Sequence, residues 1–332
     1  MKFSMTPILV FFFALTLYQT PLYAQPSAKS LNVAYVAVSG TQSGLWLAQS
    51  AGLFRKHGLD TRLVYIAGGS RVIQAMLGGD IQVAAAAPSA AVDAALSGGD
   101  LVTVAGMVNI AAFYLVVRPE IKSLEDLRGR PVGVTRYGAS TDFAMRYLLR
   151  KAGLEPEKDV PILQMGGQIE LAAAMESGRV FGATTGPPAM VKMEQSGARV
   201  LVSPRSIGLR FPHVGIVARK SFLSSYRDAV KKFLQAYSEA VALLFRDKEQ
   251  ATKLLRPYVG STDREVIEAT WQYANDTLER VPYPDPEGIS VVLQDRARSR
   301  PEVSRFRPEH FIDGSLIREL EQEGLFKKLY PR

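Results

Sequence analysis

The sequence, 332 residues long, contains no cysteine. That absence excludes a disulfide framework, a thiolate zinc site, a thiol nucleophile and a lipid-modified N-terminal cysteine. Histidine is almost as scarce: His57, His213 and His310 are the only three, they lie far apart, and none has the spacing of a metal-binding motif. There is no Walker phosphate loop, Rossmann glycine fingerprint, serine nucleophile elbow or zincin motif. The sequence therefore offers no catalytic set, no metal site and no cofactor site, and is read as a non-enzyme. Dense runs of lysine and arginine are missing too. The formal net charge is +8, but the basic residues are spread along the chain without interleaved aromatics, which argues against a nucleic-acid partner. Beyond the N-terminus no apolar run approaches the roughly 20 residues that span a bilayer. What is present is a globular composition, 47% hydrophobic and 22% charged, in a chain long enough for two lobes.

At the N-terminus, Lys2 precedes an apolar run from Pro7 to Tyr18, followed by Pro21-Leu22-Tyr23-Ala24 and the polar Gln25-Pro26-Ser27. This order of basic, apolar and small residues predicts a secretory signal over residues 1–24, cleaved after Ala24. Leu22 is not ideal for that cleavage, so an uncleaved anchor is the rival reading. Export to the periplasm is the expectation.

The remainder carries one unit twice. Leu31–Val36 and Pro131–Thr135 read as short buried strands, each leading through a glycine (Gly40, Gly138) into a helix that ends at Ala51-Gly52-Leu53 or Ala152-Gly153-Leu154. Gly68-Gly69 matches Gly166-Gly167 at an offset of 98; Met76 and Met175, Gly79 and Gly178, Pro88 and Pro187, and Gly98 and Gly197 match at 99. A constant offset of this length implies paired lobes rather than a solenoid. In the first unit Arg62–Ile66, Ile81–Ala84 and Leu101–Val104 are strand-like, and Ser70 is placed as the N-cap of a helix that stops at Gly78-Gly79. Alternating strands and helices predict a largely parallel sheet in each lobe. Phe113–Val117 and Val214–Ala218 are read as two strands crossing a hinge, which puts residues 30–116 and 217–332 in lobe 1 and 117–216 in lobe 2. The C-terminal part is helical, with Val230, Phe233, Leu234, Tyr237, Val241 and Leu244 at helical spacing and a capping box at Thr262–Glu265.

Three stretches carry a family resemblance. Gly44-Leu-Trp-Leu-Ala-Gln-Ser-Ala-Gly-Leu-Phe-Arg-Lys-His-Gly-Leu-Asp60 resembles the opening helix of the nitrate, sulfonate and taurine class of ABC-transporter binding proteins, the SsuA-like branch of the NMT1/THI5-like proteins. Ser123–Val134 is similar to that class's entry into the second lobe, and Asp313–Phe326 to its C-terminal helix. One departure is Arg179-Val-Phe181, where many relatives have an acidic residue after the glycine. The resemblance implies an α/β fold of type II periplasmic binding proteins: two Rossmann-like lobes, a two-strand hinge and a helical C-terminal region. It also implies a monomer that closes on a small polar, anionic organic molecule and delivers it to an inner-membrane ABC permease with its ATPase. Thiamine-pyrimidine synthesis enzymes share the fold but use a cysteine-rich motif. A ligand-sensing module for a membrane receptor is the other alternative.

Helix N-termini carry unpaired N–H groups and a partial positive charge, which suits anions. The strand-to-helix turns of both units thus supply the candidate binding residues: Gly40, Thr41 and Gln42; Gly69, Ser70 and Arg71; Pro88 and Ser89; Gly138, Ser140 and Thr141; Gly186 and Pro187. Ordinary capping explains any one of these turns alone, but their recurrence at matching places argues for a role. Arg71 sets a cation against the positive end of a helix dipole, at a cost of roughly 0.3–1 kcal/mol that an anion or solvent offsets. Arg136 and Tyr137, just ahead of Gly138, can grip a carboxylate or sulfonate. Asn109 is polar in an apolar stretch and reads either as a ligand contact or as a buried structural amide. His213 is a further cleft candidate. Trp46 reads as core, and Lys231 lies on an outer helix.

Overall fold

A computed structural model describes residues 30–331; the expected signal peptide falls outside them. Ten strands follow in chain order: β1 Ser30–Tyr35, β2 Asp60–Tyr65, β3 Val83–Ala86, β4 Leu101–Ile110, β5 Tyr114–Val117, β6 Val132–Val134, β7 Ile162–Gln164, β8 Gly182–Thr185, β9 Arg199–Val202 and β10 Arg210–Arg219. They form two five-stranded sheets, β2-β1-β3-β10-β4 and β7-β6-β8-β5-β9. β6, β7, β8 and β9 occupy in the second sheet the places of β1, β2, β3 and β4 in the first. In each sheet one strand runs antiparallel to its neighbours, β10 in the first and β5 in the second.

The duplication extends to matching residues. Met76 and Met175 are buried on the helices Gly69–Gly78 and Gln168–Glu176, which follow β2 and β7. Gly79 and Gly178 both have positive φ, +91° and +74°, where those helices end. A residue with a Cβ is strained in that conformation, and glycine is not.

The lobe boundaries shift from those expected. The divisions at 116/117 and 216/217 fall inside β5 and β10, because Tyr114–Val117 pairs wholly in the second sheet and Arg210–Arg219 wholly in the first. The crossings are instead the short segments 111–113 and 203–209. Two caps also differ. Gly68, at φ +88°, precedes the helix in which Ser70 was expected to be the cap. Asp263, not Thr262, caps Arg264–Thr277, its Oδ1 accepting from the Glu265 N–H at 2.8 Å.

The first lobe is the larger because the C-terminal helices pack on it. The helix Arg227–Arg246 buries its whole apolar stripe from Val230 to Leu244, each large side chain contributing about 1.5–3 kcal/mol. Trp46 is core, as expected, stacked on Tyr258 with ring centroids 5.4 Å apart. The helix Pro286–Ala297 ties the two lobes behind the hinge. Its Arg296 pairs with Asp93 of the first lobe at 2.8 Å, and the neighbouring Asp295 pairs with Arg150 of the second at 2.9 Å.

Candidate functional site

Residues that follow β1, β2 and β3 in the first lobe and β6 and β7 in the second line a single cleft, where α/β sheets place ligands. Helices begin at its wall from both sides: Ser43–Ser50 and Gly69–Gly78 from the first lobe, Ser140–Lys151 and Gln168–Glu176 from the second. Their dipoles turn positive ends toward the cleft, partly offset in the second lobe by the first-turn carboxylates Asp142 and Glu170. Among the described residues, no Asp, Glu, Lys or Arg belongs to the lining.

Three neutral polar side chains define the interior. Gln42 is fully buried, and neither end of its amide has a hydrogen-bond partner. A buried amide left unpaired costs about 1–3 kcal/mol at each end, so it signals an absent partner. Gln168 is 6% exposed and lines the cleft; its Oε1 accepts from the Thr185 hydroxyl at 2.5 Å. His213 stacks on Phe113 with centroids 3.9 Å apart, and its Nδ1 is unpaired.

Burial pushes the His213 pKa down to about 3. The ring is therefore neutral and acts as a polar wall, not a cation. In the unfolded chain it titrates near the ordinary value, about 6.5. Between the two values the unfolded state binds the extra proton, so stability falls as the pH drops through that window, by up to about 1.4 kcal/mol per pH unit. His213→Phe is expected to lose less stability than the parent between pH 7 and pH 5 in denaturant titrations. Equal losses would show that the ring is not buried in its neutral form.

The other candidates separate into three groups. Thr41, Gly69, Ser140 and Thr141 line the cleft. Thr141 is already committed within its own turn: its Oγ1 accepts from the Thr135 N–H at 3.1 Å and bonds the Thr135 hydroxyl at 2.8 Å. A second group lies on the seam between the lobes. The Gly40 N–H donates to the Pro187 carbonyl at 3.0 Å. Gly186 sits so close to Tyr273 that an added Cβ would meet the ring at 2.9 Å. The Arg136 stem packs against Gly68, its Nε is buried without a partner, and it makes no ion pair among the described residues. Pro88 and Ser89 are buried beside Ala87, which does line the cleft, and the Ser89 hydroxyl is unpaired.

The third group lies away from the cleft. Tyr137 is 43% exposed and donates its hydroxyl to the Ile162 carbonyl at 2.7 Å, so it braces the second lobe's own surface. The Gly138 N–H donates to Asp142 at 2.9 Å and closes that turn. Arg71 is exposed to solvent, and Ser70 is half-buried outside the lining. Asn109 lies outside the lining and donates to the Tyr283 carbonyl at 2.9 Å, while its buried Oδ1 has no partner. Gln168 escaped the sequence reading, although the offset of 98 that pairs Gly68 with Gly166 also pairs Ser70 with Gln168.

The lobes meet closely. Besides the bond from Gly40 to Pro187, the Gln195 amide donates across the seam to Asp263 at 3.0 Å and Glu265 at 3.1 Å. The volume open inside the cleft is about 30 Å³, room for a compact polar group of one or two water molecules' size.

A family model described as NMT1/THI5 like matches residues 41–251. YtlA of Bacillus subtilis, described only as a binding protein, is 24% identical over 246 residues, covering 72% of this chain and 74% of its own. Among solved structures, the periplasmic aliphatic sulphonate binding protein SsuA from Escherichia coli matches with a TM-score of 0.69 at 22% identity, covering 86% of this chain and 92% of its own. The periplasmic nitrate-binding protein NrtA from Synechocystis PCC 6803 matches with a TM-score of 0.74 at 15% identity, covering 90% and 89%. A protein of Bordetella bronchiseptica reaches 0.80 at 21% identity, covering 89% and 98%. At these identities the structural likenesses establish the fold, that of the periplasmic binding proteins.

Proposed function

Since the chain belongs to the NMT1/THI5-like family, we propose that it is the solute-binding component of an ABC importer, closing its two lobes on a small organic anion. The observation that carries this reading is the buried, unpaired amide of Gln42 in a cleft walled by helix N-termini from both lobes. Such a wall attracts negative charge without a fixed cation, and a polar solute supplies the partners that the amide lacks. Closure follows from the same geometry. A solute touching both lobes binds the closed form better than the open one and shifts the population toward it. The proposed setting is the periplasm, with the protein acting as a monomer that hands its solute to a membrane permease. The related names support this setting, as does the signal expected over residues 1–24. The uncharged lining supports binding over catalysis, because a neutral His213 with no carboxylate beside it in the cleft has nothing to relay a proton to.

A thermal-shift panel of nitrate, alkanesulfonates, small carboxylates and pyrimidines tests the reading. A bound member at 100 times its dissociation constant raises apparent stability by about 2.7 kcal/mol. No shift with any member, in protein that melts cooperatively, would sink it. Arg136 gives a finer prediction. Its unpaired guanidinium stands at the seam rather than inside the cleft, so Arg136→Ala is expected to weaken an anion by about tenfold. Lys231→Ala should change nothing, because Lys231 pairs with Glu323 at 2.6 Å on the C-terminal helices. Equal affinities for Arg136→Ala and the parent would leave anion attraction to the helix N-termini alone.

A further inference from the structure

The cleft asks for hydrogen-bond donors as well as for negative charge. The helices Gly69–Gly78 and Ser140–Lys151 open on it without a side-chain cap, so their first N–H groups are free to meet the oxygens of an anion. Two other groups in the lining need the opposite partner. The Gln42 Oε1 is buried and accepts from nothing. His213 is held neutral by burial and its Nδ1 is unpaired; a neutral imidazole always keeps one ring nitrogen as an acceptor. An oxyanion such as nitrate or a sulfonate has no hydrogen to offer either of them. Water cannot stand in, because the open volume of about 30 Å³ is filled once a polar group of the solute has entered.

We infer that the solute carries, besides its negative charge, an amide-type group in which an N–H stands next to an acceptor oxygen, as in carbamoyl, ureido and acylamino acids. The inference rests on the solute-binding reading above and narrows its ligand class. A glutamine amide presents its NH2 and its carbonyl oxygen side by side. It pairs at both points only with an edge that offers a donor beside an acceptor, as it does on an adenine ring. An amide edge of the solute therefore satisfies both bare ends of Gln42 at once. A plain oxyanion takes the N–H end alone and leaves Oε1 buried and unpaired, and sites built around a hydrogen-bonding group reject analogues that lack it. The uncharged lining points the same way. An ammonium donor would call for a carboxylate beside it, and no Asp or Glu lines the cleft among the described residues, so the donor that fits is a neutral N–H.

Two isosteric pairs of monoanions read the donor directly. Succinamate is set against levulinate, in which a methyl replaces the amide NH2, and N-acetylglycine against acetoxyacetate, in which an ester oxygen replaces the N–H. In titration calorimetry the amide should bind the parent about tenfold more tightly than its partner in one pair or both. Gln42→Met keeps the length of the side chain and removes both amide groups, and it should bring that ratio close to one. His213→Phe keeps a ring against Phe113 and removes the nitrogens, and it should lower the ratio from the other wall, with circular dichroism confirming that each variant folds. Equal binding within both pairs, or binding of nitrate or an alkanesulfonate but of none of these four, would overturn the amide requirement and leave the solute-binding reading in place. A full ratio that persists in both variants also overturns it, because the donor is then met elsewhere. Failure of these four and of the whole thermal-shift panel to bind the parent would overturn both readings together.

Discussion

Gln42→Leu is expected to cost the protein its ligand and, at the same time, to make the ligand-free protein harder to unfold. The side chain is completely buried at the cleft wall, and both amide ends lack a partner. Leucine has a similar bulk and nothing to satisfy. Removing the unpaired groups recovers part of their desolvation cost, about 1–2 kcal/mol, which in a chain of this size raises the melting temperature by a few degrees. The same change deletes two hydrogen bonds to the solute. With a charged acceptor on one of them, affinity should fall about a hundredfold. Opposite movements of stability and binding distinguish a functional residue from a structural one, because sites built to bind are poorly satisfied when alone. A scanning calorimeter and a titration calorimeter decide the matter. A Gln42→Leu protein that melts earlier and binds like the parent would make Gln42 a part of the scaffold.

A second large effect is expected at Gly186, where the loss should lie in closure rather than in contact with the solute. A Cβ on Gly186 would stand 2.9 Å from Cε1, Cζ and the hydroxyl of Tyr273. The tyrosine cannot yield: it is buried, and its hydroxyl donates to the Ala112 carbonyl in the crossing segment. Gly186 belongs to the second lobe and Tyr273 to the first, so Gly186→Leu should leave each lobe folded and hold them apart. The solute then meets one wall at a time, and the apparent affinity drops with the fraction of closed protein, again by about a hundredfold. X-ray scattering should show no compaction when solute is added, and the melting temperature of the free protein should stay close to the parent's. Parent-like compaction on adding solute would show that the seam relaxes around this position and that closure does not depend on it.

Most of the architecture was legible because two signals reinforced each other. Glycines that must end helices in the left-handed region, such as Gly79 and Gly178, recur at one offset, and the apolar runs between them are short and regularly placed. Sheet membership was not legible. Tyr114–Val117 is an apolar run whichever lobe it joins, so nothing local marks it as part of the second sheet. The start of β10 was hidden for another reason. Pro212 lacks an N–H and argues against a central strand, yet here it falls where the register between β10 and β4 shifts, between Arg210 and Val214, and no ladder bond is forfeited. At the site, three of the five strand-to-helix turns, at Thr41-Gln42, Gly69 and Ser140-Thr141, reach one cleft, but side-chain direction was not available from spacing. Tyr137 and Gly138 sit at the right turn and face their own lobe, because Ile162 and Asp142 offer them partners nearer than any solute. Gln168 does the reverse, being recruited into the cleft by Thr185, 17 residues away.

The exchange of β5 and β10 between the two halves of the chain also sets the order in which the lobes can be finished. All five strands of the second sheet lie between residues 114 and 202. The first sheet begins at Ser30, yet β4 has no neighbour but β10 and a lone bridge to Ile312, so its edge stays bare until residues after 209 have been synthesised. The half of the protein that is translated first is therefore completed last. A nascent chain stopped within segment 203–209 would carry a complete second sheet, its core still short of Phe211, Ile289 and Val292, and, ahead of it, an apolar strand with no partner, the kind of edge that aggregates when it is left waiting. The early half of the chain thus stays pliable until the late half reaches it.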